Sequence, residues 1–467
     1  DPTAGEFFSS APIAWNGLLY IGIAGSDWGI RGRMMAFDVA TGKEAWRWYS
    51  VPLGSEPGAD TWIPRESAAR GGGGFWTTYT LDTVKGELFI PVANPAPDFN
   101  IDPGVRAGVN LYTNSLVVLD ARSGKLKWFH QFGANDPWDY DIGAAPLLYE
   151  GPDKKSRVAV GSKDGHLYVL DRDTRKVEFK TAVTTVMDNT GKKPSPEGTH
   201  MCPGALGGVE WNGPALDPKN GAIAVGTVDL CMVFKIAEPQ YLRGQTYYGG
   251  QPAPGPNDRP YGWVYSIDSA TGKVRWKYEA KFPVVAAVTP TAGGVTFTGD
   301  LGGNFLAFDS VNGKVLLEQN LAASIAGGIV TYAVAGKQYV AVTAGNISRV
   351  TFGGAGSPQV IIYTLGLAAD EPKVVTAGAA RMPWDITVSK DGKPDAKLGR
   401  GVYAVYCAAC HGSKGEGGVG PSLRGAKERL GFDLTLDRIK NPLPKMPRLP
   451  LDEQTMKNVT AYVETLK

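Results

Sequence analysis

Two short stretches put reactive residue types close together. In VYCAACHGSKG, Cys407, Cys410 and His411 form C-x-x-C-H, two thiols spaced for thioethers to haem vinyl groups and a histidine placed as proximal iron ligand. No other Cys or His stands in that part of the chain, so a zinc site would lack ligands. In NDPWDYDIG, Asp139 and Asp141 flank one tyrosine. A strand would point both carboxylates to the same face, where like charges repel unless a cation or a proton sits between them. A solvated turn, an acid/base couple and one wall of a metal site are all open on these residues alone.

The elements that must position these groups follow two patterns. From about residue 1 to 365, strand-like runs alternate with Gly/Asp turns, and one turn recurs at fixed spacing. It appears as Asp38–Gly42–Trp46, Asp120–Gly124–Trp128 and Asp268–Gly272–Trp276, with weaker copies at Asp171–Arg175–Phe179 and Asp309–Gly313–Leu317. A strand, a tight turn needing Gly, and a second strand whose aromatic packs between neighbours, repeated in about six units, predicts an all-β propeller. Residues 366–395 lose the repeat and read as a linker. From 396 to 467 the pattern is helical, with Met456, Val459, Val463 and Leu466 on one face, predicting a small all-α domain. With 61 Gly, 33 Pro and 12 Trp in 467 residues, the composition suits short strands and turns. A net charge of +2 gives no nucleic-acid surface, and no apolar run is long enough for a transmembrane helix. The first residue is Asp1, so the chain reads as processed or truncated at its start.

The C-terminal module is similar to small c-type cytochromes. Met446, in NPLPKMPRL, fits their Met-Pro placement as the second axial iron ligand, where a thioether raises the potential. Pro421, in GGVGPSL, resembles the proline whose carbonyl orients the proximal histidine. Haem c is attached in the bacterial periplasm, where disulfides persist, so Cys202 and Cys231 are expected to bridge across two strands closed by the DPKNG turn. Haem accepts single electrons, so a two-electron substrate needs an intermediary, and no G-x-G-x-x-G after a strand offers NAD or FAD.

At this point the repeat region resembles the pyrroloquinoline quinone (PQQ) dehydrogenases. With the haem module, the chain is similar to the quinohaemoprotein alcohol dehydrogenases over nearly its whole length. In AGSDWGIRG the resemblance places Asp27 on a metal, where relatives usually carry Glu, and in VANPAPDFN it gives the Asn94 amide oxygen as a ligand. GGGGFWTT supplies Trp76 as the floor under the quinone, and WDYD supplies Asp139 as the general base near the metal. Asp141 is then either a further metal ligand or an acid behind the ligands. Lys163, in GSKDGHLYVLDR, corresponds to the strand residue that hydrogen-bonds the quinone oxygens. Glu210 stands where relatives place Asn against the cofactor, and Ser9, in FFSSAP, where a hydroxyl meets a cofactor carboxylate. Cys202 and Cys231 match a family disulfide. Hard oxygen donors suit Ca²⁺ or a lanthanide.

The implied activity is periplasmic oxidation of an alcohol or aldehyde, with Asp139 taking the hydroxyl proton and hydride passing to the quinone. Electrons then go singly to haem c and on to a periplasmic acceptor, a cytochrome, cupredoxin or terminal oxidase. Two other classes compete: a propeller binding module with a haem electron-transfer domain and no quinone, and a hydrolase using Asp139 and Asp141. The last leaves the haem unexplained and places its acids on one strand, not across a sugar. Relatives have eight blades and a vicinal Cys-Cys pair. This chain shows about six units and no such pair, so the expectation is that a missing N-terminal portion, a second chain or a cleaved fragment completes the ring. The family's C-terminal tryptophan is replaced by AGNISRVTFGGAG.

Overall fold

The structure, a computed structural model, describes residues 1–345, 358–365 and 393–467, apart from 413, 418, 419, 443–445, 447–450 and 452. They group into two units, one of residues 1–345 with 358–365 and one of residues 393–467.

The first unit is a run of antiparallel sheets, most of them built from consecutive strands. Blade one runs from Ile13–Trp15 to Glu44–Tyr49, blade two from Thr80–Asp82 to Leu126–Gln131, and blade three from Leu147–Glu150 to Val177–Ala182. Blade four runs from Ala215–Leu216 to Val274–Ala280 and blade five from Thr289–Pro290 to Val315–Asn320. These five sheets have four strands each, and blade six, Ile329–Val334 to Gln359–Thr364, has three among the described residues.

The predicted repeat is the turn between third and fourth strands. Each turn aspartate, Asp38, Asp120, Asp171, Asp268 and Asp309, accepts backbone N–H bonds from residues two or three ahead and donates its own N–H to the lysine that follows the turn. The residue four places on must turn left-handed. It is Gly42, Gly124, Gly272 or Gly313 in four blades and Arg175, at φ 63°, in blade three. A register shift falls just before the aspartate in all five. The turn then docks on the preceding blade: a side chain at Gly124 would strike the Trp46 ring, at Gly272 Phe179, and at Gly313 Trp276. The Trp46 and Trp276 indoles also donate across to the Ala121 and Ser310 carbonyls.

The core is accordingly a series of clusters between consecutive blades. Tyr20 and Met34 pack with Leu88 and Val117, Trp128 with Tyr168, Leu167 with Val225, Trp276 with Phe308, and Phe305 with Ile329. From blade four a long excursion leaves between Ala222–Asp229 and Tyr261–Asp268. With Thr199–Met201 it forms a separate three-stranded sheet over Met232–Ile236 and Gly250–Ala253. Cys202 and Cys231 are joined in a disulfide at the start of this sheet, and Asp217 caps the DPKNG turn between them.

The second unit is helical: α1 (Ala396–Tyr406), α2 (Ala408–His411), α3 (Ala426–Arg429), α4 (Gly431–Lys440) and α5 (Glu453–Val463). Asp395 caps α1 by accepting from Lys397 N and Leu398 N. Val459, Val463 and Leu466 are buried against α1, with Met456 packed beside them, as the helical periodicity predicts. Most of the expected linker, 366–392, and most of AGNISRVTFGGAG lie outside the described residues. No described helix is long and apolar enough to cross a membrane.

Candidate active site

The site is built from corresponding loops of successive blades. Asp27 lies between the second and third strands of blade one, Asn94 and Asp98 in the same place in blade two, and Lys163 in the matching turn of blade three. Asp139 and Asp141 come from the connection between blades two and three. The segment carrying Trp76 is tied to the Asp27 loop by Gly74 N donating to Ser26 Oγ and Phe75 N to Ile23 O.

The expectation that Asp139 and Asp141 share a strand face is corrected. Residues 135–143 form no strand, and Asp139 has φ 65°, which breaks the alternation. The fold imposes this through Asp136, whose carboxylate accepts from Trp138 N, Tyr140 N and Asn114 Nδ2. Arg106, fully buried, clamps the same loop to the Asn94 segment by donating to the carbonyls of Asp136, Pro97 and Asp98.

The two acids therefore serve different neighbours. Asp139 Oδ2 accepts from Lys163 Nζ at 2.7 Å, and one of its oxygens lies within 4.8 Å of oxygens of both Asp27 and Asp98. Asp141 accepts from Trp76 Nε1 at 2.7 Å and from Asn94 N, with Lys163 Nζ at 3.8 Å. The acid that gathers with Asp27 and Asp139 is Asp98, which sequence reasoning missed. Its signal was a carboxylate inside the quoted NPAPD segment, four residues after Asn94. Lys163 stands in a turn and not within a strand, and Gly208, at φ +83°, presses its backbone on Lys163 Cα where any side chain would collide. That contact brings Glu210 to the site, buried, with Oε1 lacking a hydrogen-bond partner. Ser9 Oγ donates to the Trp76 carbonyl at 2.6 Å from an exposed position.

Burial dominates the electrostatics. It pushes the Asp139 and Asp98 carboxyls well above their usual range, and neighbouring carboxylates add to the effect. Burial also raises Asp27, Asp141 to about 6 and Glu210 to about 7, in each case opposed by the Lys163 ammonium. Burial disfavours that ammonium, but Asp139, Asp141 and Glu210 together outweigh it and hold Lys163 charged. Asn94 Oδ1 and both Asp98 oxygens are buried without hydrogen-bond partners. These orphaned hard donors beside a three-carboxylate group fit an oxygen-seeking cation, and the Lys163 ammonium and Trp76 indole fit a planar anionic cofactor.

In the helical unit, His411 Nδ1 donates to the Pro421 carbonyl at 2.8 Å. That fixes the tautomer and leaves Nε2 as the metal-facing nitrogen. A side chain at Gly420 would strike the His411 ring. Cys407 is buried in the cluster against which Met446 packs, so these groups fit a covalent haem. The Cys410 side chain lies outside the described residues.

Residues 2–186 and 260–340 match the family model "Glucose/ethanol/alcohol dehydrogenase, beta-propeller domain", of the PQQ type. The chain belongs to the PQQ dehydrogenase propeller family. Residues 394–463 match "Cytochrome C oxidase, cbb3-type, subunit III". Among similar proteins, the quinohemoprotein alcohol dehydrogenase of Comamonas testosteroni is 28% identical, over 89% of this chain and 64% of its own length. The lanthanide-dependent methanol dehydrogenase of Methylacidiphilum fumariolicum (strain SolV) is 30% identical, over 74% of this chain and 63% of its own. The chain thus spans just under two thirds of these relatives. The crystal structure of the Comamonas testosteroni enzyme matches 98% of this chain and 75% of its own with a TM-score of 0.72 and 25% identity. A europium-containing methanol dehydrogenase matches 76% of this chain and 67% of its own, with a TM-score of 0.68 and 28% identity.

Proposed function

We propose that this chain is the catalytic part of a periplasmic quinohaemoprotein dehydrogenase that oxidises an alcohol or aldehyde and delivers electrons to an external acceptor. The observation that carries the reading is the set of buried, unpartnered oxygen donors around the Asp139–Lys163 pair in a PQQ-family propeller fused to a haem-type module. When bound, PQQ with Ca²⁺ or a lanthanide supplies a two-electron acceptor and haem c a one-electron outlet.

The chain's own residues do the rest. Asp139 is the base that takes the substrate hydroxyl proton; Lys163 holds its carboxylate in place and opposes the burial that favours its protonated form. Asp27 and Asn94 hold the cation. Asp141 fixes the Trp76 indole and the Asn94 main chain, so the cofactor's floor and a cation ligand are set by one carboxylate. Ser9 and Glu210 line the cofactor's edge. His411 and Met446 are the axial iron ligands, with Cys407 and Cys410 the attachment thiols.

The test is an absorption spectrum of the purified protein after adding PQQ with Ca²⁺ or La³⁺. Ethanol or a longer primary alcohol should then reduce the haem. A haem that stays oxidised with every alcohol and aldehyde tried, under both metals, refutes the reading.

A further inference from the structure

Asp98 is 1% exposed, and neither of its carboxylate oxygens has a hydrogen-bond partner. Among the described residues no basic nitrogen comes within ion-pair distance of it. The guanidinium of nearby Arg106 is spent on the carbonyls of Pro97, Asp98 and Asp136 and on Asn110 Oδ1. A buried carboxylate in this state is normally paired or bound to a metal. Asn94, also 1% exposed, supplies an independent sign: its Oδ1 is buried without a partner and comes from the same short segment. Oxygens of Asp27, Asp98 and Asp139 lie within 4.8 Å of one another. An ion with metal–oxygen distances of about 2.3–2.6 Å can bridge oxygens at that separation.

We propose that Asp98 is a third carboxylate ligand of the cation, beside Asp27 and Asp139, and that it biases the site toward a trivalent lanthanide over Ca²⁺. The proposal rests on the cation site of the reading above, and on neither the quinone nor the alcohol. Three ligand carboxylates cancel a triply charged ion. With Ca²⁺ one negative charge stays uncompensated in a buried place, and the nearest ammonium, Lys163, is already engaged by Asp139 and Asp141. The hard oxygen set admits either ion, so charge balance decides between them.

The experiment uses the full chain without quinone or alcohol. Tb³⁺ is titrated by its indole-sensitised luminescence, with the buried Trp138 next to Asp139 as antenna, and Ca²⁺ is then added as competitor. Wild type should bind Tb³⁺ at one site and prefer it to Ca²⁺ by at least about tenfold. Asp98→Asn keeps the shape and removes the charge, so Tb³⁺ affinity should fall by about tenfold or more while Ca²⁺ affinity falls less, narrowing the preference. Asp98→Glu, which keeps the charge, should restore part of the preference, and Asp98→Ser serves as the charge-removing variant if the Asn variant does not fold. Unchanged Tb³⁺ and Ca²⁺ affinities in Asp98→Asn, or in Asp98→Ser if the Asn variant does not fold, overturn the proposal and leave the cation site standing. A wild type that takes up neither ion removes the cation site itself.

Discussion

Lys163 is the residue on which the buried charge of the site depends. Its ammonium touches Asp139, lies 3.8 Å from Asp141 and stabilises the charged form of Glu210. In metal-free protein, Lys163→Met leaves these carboxylates without a counter-charge. Breaking a buried pair by removing one partner costs about 3–5 kcal/mol, which urea unfolding at neutral pH should show. The sign of the pH effect follows from the folded pKa values, which are already raised for Asp141 and Glu210 and rise further without the ammonium. A raised folded pKa costs stability as pH climbs through it, so the deficit of the variant should shrink at pH 5 relative to pH 7. A deficit that is constant or grows on acidification would show that Lys163 is not the counter-charge. At this scale the sequence revealed donors and not directions. Asp27, Asn94 and Asp139 were legible because each sits in a distinctive segment. Asp98 was not, because one acid after an asparagine has no pattern until Arg106 folds the segment inward. The left-handed backbone of Asp139 was equally hidden, since it is imposed by Asp136 and not by the residue's own type.

The elements were far more readable, because blades one to five solve the same turn with the same hydrogen bonds. Asp, Gly and aromatic recur at fixed spacing since each makes one obligatory contact. The excursion sheet was illegible for the opposite reason: Thr199–Met201 finds its partner Met232–Ile236 only after two intervening strands of blade four. Trp276, buried and bonded to the Ser310 carbonyl, joins blades four and five. Trp276→Ala should cost about 3–5 kcal/mol, read as a lower urea midpoint with an unchanged slope. The turn aspartates also make an acid signature. Burial works against ionised Asp268, but hydrogen bonds from Arg275 and Thr271 win and lower its pKa to about 2 from 3.8. A depressed folded pKa gives stability that is present above the unfolded value and lost as pH falls through the folded one. Asp268→Asn should therefore flatten the stability–pH curve between about 4 and 2; an unaltered slope there would rule out this linkage.

Across the first unit, each core cluster joins one blade to the next, and among the described residues none joins blade six to blade one. Units that contact only their neighbours share stability along a line. For this 467-residue chain alone, amide exchange should be slowest in blades three and four and faster toward blades one and six. Uniform protection across all six would show that the end blades are covered by something further, as the eight-bladed resemblance suggests. The same linear build ties distant residues to the proposed cation site. Asp27 hangs from blade one and Asp98 from blade two, so the gap between their oxygens is set by how those blades are pitched. The Gly124 turn seated on Trp46 is one of the contacts holding that pitch. The pair acts as the far end of a calliper whose jaws are the two carboxylates, and trimming the indole there should change which ionic radius the jaws grip best.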